Sequence, residues 1–322
     1  MSSPRQPAHR PVRSRRSFRS VTTAVAVLAG LVTSGCSTTG SATTQKPGVI
    51  NAVGAENQYA NVLAQIGGRY VSVSSILDNP NTDPHTFESS PGVAEEVGAA
   101  QLVVQNGLGY DDFMNKIESA SPSAGRKVIV AQQVLGLPDS TPNPHLWYDP
   151  ATMPAVAKRM AGDLGSLQPD HRAYFQQRLA AFDASLRPWL SAISTFKAHH
   201  PDTPVAVTEP VADYLLRAMG VNIVTPFVFQ ADVMNGVDPS PQGITQEEGF
   251  MTNHNVKVFC YNEQVVDSLT TSIRQKARSS GIPVVAVYET MPASGYDYQS
   301  WMMAEVGAIE SAAVHGKSTE HL

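Results

Sequence analysis

Two histidines and two glutamates, His85, His145, Glu209 and Glu289, have the residue types and placement to do chemistry together. Two neutral imidazoles and two carboxylates carry a charge of minus two, which a divalent ion neutralises. Mixed N and O donors suit Zn2+ or Mn2+, with Fe2+ ranked below them, better than the softer Cu+. Each residue also has a plainer reading. His85 follows Asp83-Pro84 as a turn cap would, Glu209 precedes Pro210 where a carboxylate complements a helix N-terminus, and His145 and Glu289 suit solvated loops. Position argues for the four together: each lies just after a predicted strand, in the loops where open parallel sheets bind ligands.

The elements that must position them alternate between short apolar runs and longer helical stretches, the pattern of β/α units around a parallel sheet. Strands are expected at Val49 to Val53, Tyr70 to Ile76, Leu102 to Gln105 and Lys127 to Ala131, and again at Val205 to Val207, Asn222 to Thr225, Val256 to Tyr261 and Val284 to Val287. Helices are expected at Asn57 to Ile66, from Ser90-Pro91, at Asp111 to Ser119, from Asp149-Pro150, at Pro210 to Met219, from Ser240-Pro241 to about His254, at Val265 to Ser279 and at Tyr298 to Val314. Between the two sets, Phe175, Leu179, Phe182, Leu186, Trp189, Ile193 and Phe196 recur at three and four residues, which predicts a single helix over Pro169 to Ala198 with Pro188 as its weak point. The fold class is therefore α/β: two (β/α)4-type domains, their parallel sheets facing a cleft, bridged by one long rigid helix. The expected divisions are 48–166 for the first domain, 167–200 for the helix and 201–322 for the second.

The first 35 residues read as a leader. Six arginines, with no acid among them, precede an apolar run from Val21 to Val32 that is too short to span a bilayer. Thr33-Ser-Gly-Cys36 resembles a lipobox, which makes Cys36 the expected lipidation site and 36–47 a flexible tether, and Ser14-Arg-Arg-Ser-Phe18 resembles a twin-arginine export motif. Losing those six arginines from 23 basic residues leaves 17 against 28 acids, a net charge of −11. Such a balance argues against nucleic acid as a partner and favours small cations. With Cys36 lipidated, Cys260 has no disulfide partner within the chain.

Five motifs together resemble the substrate-binding lipoproteins of zinc and manganese ABC importers, the cluster A-I metal receptors. They are Thr82-Asp-Pro-His-Thr-Phe-Glu88, Asn106-Gly-Leu-Gly-Tyr-Asp-Asp112, Asn143-Pro-His-Leu-Trp-Tyr-Asp-Pro150, Thr208-Glu209 and Tyr288-Glu-Thr-Met-Pro292. The resemblance extends from Gly48 to the end of the chain. It implies a metal ion as cargo, buried between two bridged domains, and an ABC permease that receives it from a monomer held to the membrane by lipid on Cys36. His85 and His145 match the two N-domain histidine positions, Glu209 the third position, filled by His in many zinc members and Glu in many manganese members, and Glu289 the fourth, more often Asp. Asp83, Glu88 and Glu263 are candidates to orient or tune these ligands. The His-rich loop of some zinc members is missing before His145, and Glu209 in the third position leans toward Mn2+. Alternatives of other classes are a secreted metallohydrolase, disfavoured by the lack of a His-Glu-x-x-His motif, a receptor for an iron chelate or cobalamin, and a surface adhesin.

Overall fold

The computed structural model describes residues 48–79, 87, 89–292 and 295–322. The leader, Cys36, the tether up to residue 47 and His85, Asp83 and Glu88 lie outside the described residues. The described residues belong to one compact unit.

The first half comprises β1 (Ile50–Glu56), α1 (Asn57–Gly67), β2 (Val71–Leu77), α2 (Pro91–Ala99), β3 (Leu102–Gln105), α3 (Asp112–Ala120), β4 (Lys127–Val130), the single turn α4 (Ala131–Val134) and α5 (Thr152–Leu167). Next come α6 (Arg172–Ser185) and α7 (Arg187–His199). The second half comprises β5 (Pro204–Val207), α8 (Asp213–Ala218), β6 (Asn222–Ile223), α9 (Phe227–Met234), α10 (Pro241–Thr252), β7 (Val258–Asn262), α11 (Ser268–Ser279), β8 (Val284–Val287) and α12 (Tyr298–His315). Each half builds a four-stranded, wholly parallel sheet, in the orders β2-β1-β3-β4 and β6-β5-β7-β8.

Burial explains which strands are mostly apolar. β3, β7 and β8 sit within sheets covered on both faces, and every one of their residues is buried. The edge strands β2 and β6 are more polar and partly exposed. Helix starts are fixed locally: Ser90 and Ser240 accept from the backbone N–H three residues on, each with proline following, and Asp267 and Asp297 form reciprocal capping boxes.

Three local expectations are corrected. Asp149 and Pro150 do not open a helix directly. Residues Leu146–Tyr148 make a 3-10 turn, Asp149 accepts the Ala151 N–H at 2.9 Å, and α5 starts only at Thr152. The expected single rod is two helices. Pro169–His171 forms a 3-10 turn, and the path breaks at Leu186, because Pro188 has no N–H to offer the Ala184 carbonyl. The apolar stripe nevertheless continues across the break: α6 packs on α1 and α5 of the first lobe, and α7 on α8 and α12 of the second. Finally, α8 starts three residues after Pro210, and α9 fills a stretch to which no element was assigned.

The lobes are fastened to each other near the carboxyl ends of their strands. Asn57 of α1 exchanges two hydrogen bonds with the Met291 backbone, at 2.9 and 2.8 Å, and Gln58 Nε2 reaches the Glu289 carbonyl at 3.3 Å. One apolar core runs through both lobes, and a smaller one lies around Val97, Met114 and Ile117 of the first.

Candidate metal centre

His145, Glu209 and Glu289 are all buried, at 0, 2 and 0% exposure. His145 comes from the segment after β4, Glu209 stands two residues past β5, and Glu289 two residues past β8. The first lobe therefore supplies one donor and the second lobe two. His145 Nε2 lies 3.7 Å from Glu289 Oε2 and has no hydrogen-bond partner among the described residues. The described residues contain no group of three His, Cys, Asp or Glu side chains spaced to hold an ion by themselves. His85, the fourth expected donor, falls outside them.

His145 is aimed by Asn143. The Asn143 side-chain oxygen takes both the His145 backbone N–H, at 3.0 Å, and ring Nδ1, at 2.8 Å. That bond calls for a proton on Nδ1 and turns Nε2 toward Glu289. The Asn143 amide also donates to the Pro210 carbonyl at 2.8 Å, so one side chain ties the histidine to the residue after Glu209. Trp147 and Tyr148 are fully buried, and Tyr148 bonds the Tyr288 carbonyl and Glu305.

The second lobe holds its carboxylates through Asn262, the last residue of β7. Its amide nitrogen lies 2.6 Å from Glu289 Oε1 and 3.3 Å from Glu209 Oε2. Gln264 secures the Glu289 loop, its side-chain oxygen accepting the N–H groups of Glu289 and Thr290 at 2.6 and 2.8 Å. Tyr110 of the first lobe donates to Glu289 Oε2 at 2.9 Å. Burial, with Glu289 beside it, pushes the Tyr110 phenol well above its ordinary pKa, so it acts as a neutral donor.

Tyr110 is reached by a left-handed turn. Gly107, Leu108 and Gly109 have φ of 86, 57 and 79°, and a Cβ on Gly107 would come within 2.8 Å of Gln132 and Val130. The turn lets Asp111 fold back to accept the Asn106 and Gly107 N–H groups at 2.5 and 2.9 Å. Behind it, Glu56 is fully buried. Burial and the neighbouring Asp111 hold its pKa well above the usual carboxyl value.

Asn143, Tyr110, Asn262 and Gln264 escaped sequence reasoning as functional residues. Asn143 and Tyr110 lie inside quoted motifs, whereas Asn262 and Gln264 carry no local signal beyond their place at the end of a strand. Glu263, the expected tuning carboxylate beside them, instead bonds Tyr261 and His321.

The family model described as ZnuA, zinc-uptake complex component A, periplasmic, matches residues 53–312. The chain belongs to this family. Among curated relatives it is 25% identical over 176 residues to a putative metal-binding protein of Thermotoga maritima, covering 52% of this chain and 61% of that one. It is 27% identical over 148 residues to the zinc-binding protein TroA of Treponema pallidum, covering 44% and 46%. The chain thus spans 61% or less of the length of these relatives. A crystal structure of ZnuA superposes with a TM-score of 0.67 at 24% identity, covering 82% of this chain and 99% of that one, which matches the two-lobed α/β fold. No helix among the described residues of this ZnuA-family chain is long and apolar enough to cross a membrane.

Proposed function

We propose that the chain is the extracytoplasmic substrate-binding component of an ABC importer, which captures Zn2+ or Mn2+ between lobes 48–166 and 201–322 and hands it to a permease. His85, His145, Glu209 and Glu289 are the proposed ligands, Cys36 the lipid anchor, and the chain acts as a monomer without enzymatic activity. The observation that carries this reading is the approach of His145 Nε2, from one lobe, to within 3.7 Å of Glu289 Oε2, from the other, in a fully buried site. A buried imidazole nitrogen from one lobe facing a buried carboxylate from the other is a pair of donors that a shared cation would join. An enzyme would need an open position and a base beside the metal, and the buried, amide-clamped carboxylates favour a closed shell instead.

The test is metal binding by the full-length chain, purified in detergent and stripped of metal. Zn2+ and Mn2+ are titrated into wild type and a His85→Ala, His145→Ala double variant. Wild type is expected to bind with at least about 100-fold higher affinity than the variant. Equal binding by the two would sink the site assignment.

A further inference from the structure

Helix α1 lays a row of carboxamides against the second lobe. Asn57, Gln58, Asn61 and Gln65 lie on it at spacings of one to four residues, and each is bonded across the lobe boundary. Asn57 pairs with the Met291 backbone in both directions, its Nδ2 donating to the carbonyl at 2.9 Å and its Oδ1 accepting the N–H at 2.8 Å. Gln58 donates to the Glu289 carbonyl at 3.3 Å. Asn61 Oδ1 accepts, at 3.0 Å, the N–H of Tyr298, the first residue of α12, a donor that a helix start leaves without an intrahelical acceptor. Gln65 and Gln299 exchange side-chain bonds at 3.0 and 2.9 Å.

Every bond in this seam joins neutral groups, and Asn57, Asn61, Gln65 and Gln299 are half-buried, within reach of solvent. Water competes for such bonds on nearly equal terms, so the seam parts at small cost. The deeper joints between the lobes differ. Tyr298 donates to the Trp147 carbonyl at 2.6 Å and Tyr148 to the Tyr288 carbonyl at 2.9 Å, with Trp147, Tyr148 and Tyr298 all at 0% exposure. Breaking those bonds would strand polar groups among apolar side chains. We propose that the carboxamide seam is the latch of the interlobe site and that Asn57 is a positioning residue that governs release of the ion. While its two bonds hold, the segment from Glu289 to Met291 stays fixed against α1; when they part, the rim opens about the buried tyrosines and Glu289 moves away from His145. The inference rests on the metal-binding reading above.

The experiment uses the full-length chain in detergent as wild type, Asn57→Ala, Gln65→Ala and Ala64→Gly. The last weakens α1 at an exposed methyl that makes no hydrogen bond, and so controls for helix stability alone. Zn2+-loaded protein is mixed rapidly with excess chromogenic chelator to read the release rate, and the metal-free protein with Zn2+ to read the uptake rate. Asn57→Ala is expected to release Zn2+ at least about tenfold faster with uptake within a few-fold of wild type, Gln65→Ala to show a smaller increase, and Ala64→Gly none. Hydrogen exchange of the Tyr298 amide, whose own acceptor Asn61 is untouched, is expected to quicken in metal-free Asn57→Ala. If Asn57→Ala does not fold, Gln65→Ala carries the comparison. A wild-type release rate in the folded seam variants overturns the proposal, as does an equal acceleration in Ala64→Gly. A wild type that takes up no Zn2+ or Mn2+ overturns the site reading instead, and the exchange of Tyr298 then still decides whether the seam opens as one.

Discussion

The two sheets repeat one order, so their strand ends can be compared position by position. Counting on from the register of β1 with β3 sets Glu56 level with Asn106, and counting on from β5 with β7 sets Glu209 level with Asn262. Both Glu/Asn pairs stand where the strand order reverses, the point at which open α/β sheets take ligands. Their uses differ. Asn106 turns inward, accepting from Tyr59 and donating to the carbonyls of Gly107 and Pro144, and so anchors the segment leading to His145. Asn262 turns to the interlobe site and clasps two carboxylates. Glu56 is a fully buried acid whose pKa is raised by burial and by Asp111, whereas Glu209 lies against the Asn262 amide. One topological position serves as scaffold in one lobe and, in the proposed site, as ligand in the other.

The largest expected effect breaks this comparison directly. Glu209→Ala should lower metal affinity at least about 100-fold, while Glu56→Ala, at the matching position, should leave the affinity of the folded protein within a few-fold. Titration of both variants with Zn2+ decides it, and an equal loss in the two would mean that Glu56 also faces the ion. Next in size, Asn106→Ala removes a buried amide that makes bonds to Tyr59, Gly107 and Pro144, for a loss of about 2–4 kcal/mol in denaturant unfolding. The affinity of the folded protein should fall less than for Glu209→Ala, because Asn106 acts on the ligand only through the Pro144 backbone.

Each lobe also stores a buried acid whose titration can be read separately. Burial pushes Glu247 up to about 8, against a favourable hydrogen bond from Thr225, and raises Glu56 well above the ordinary value. A raised carboxyl pKa means that the folded state holds the proton more tightly than the unfolded chain. Its stabilising contribution is full below the ordinary 4.5 and is lost as pH rises, for Glu247 through about 8. Glu247→Gln and Glu56→Gln, which stay neutral, should therefore melt close to wild type at pH 4 and above it at pH 8.5. Melting curves at the two pH values check this, and a gain at pH 4 instead would reverse the sign.

The sequence was most legible where burial dictates composition. β3 and β8 are apolar at nearly every position, and both were placed to the residue, because a strand covered on both faces admits little else. Serine-proline starts placed α2 and α10 equally well. Less legible were features set by tertiary contact. α9 has apolar residues all round and no capping signal, so its helical period is masked, and Pro210 marks a turn before α8 rather than its first residue. All four candidate ligands were proposed from strand-end position, and three of them fall among the described residues, whereas Asn262 carried no such signal. An asparagine at a strand end is ordinary in sequence, and its meaning appears only when two glutamates, 53 residues before and 27 after it, arrive at the same amide.

The smallest expected effect concerns the break between α6, on the first lobe, and α7, on the second. Proline in a helix interior costs about 3 kcal/mol, through the lost hydrogen bond and the clash with the preceding turn. Pro188 escapes most of that cost: it occupies the first turn of α7, where its missing N–H would have had no partner within that helix. Pro188→Ala should accordingly change unfolding free energy by less than about 1 kcal/mol, whereas Ala180→Pro, in the middle of α6, should cost about 3 kcal/mol or more. Should Pro188→Ala stabilise the chain by as much as Ala180→Pro destabilises it, the break would be strain held in an otherwise continuous rod. A near-neutral result instead means that the two lobes are joined by two helices in succession, each ended by its own local sequence.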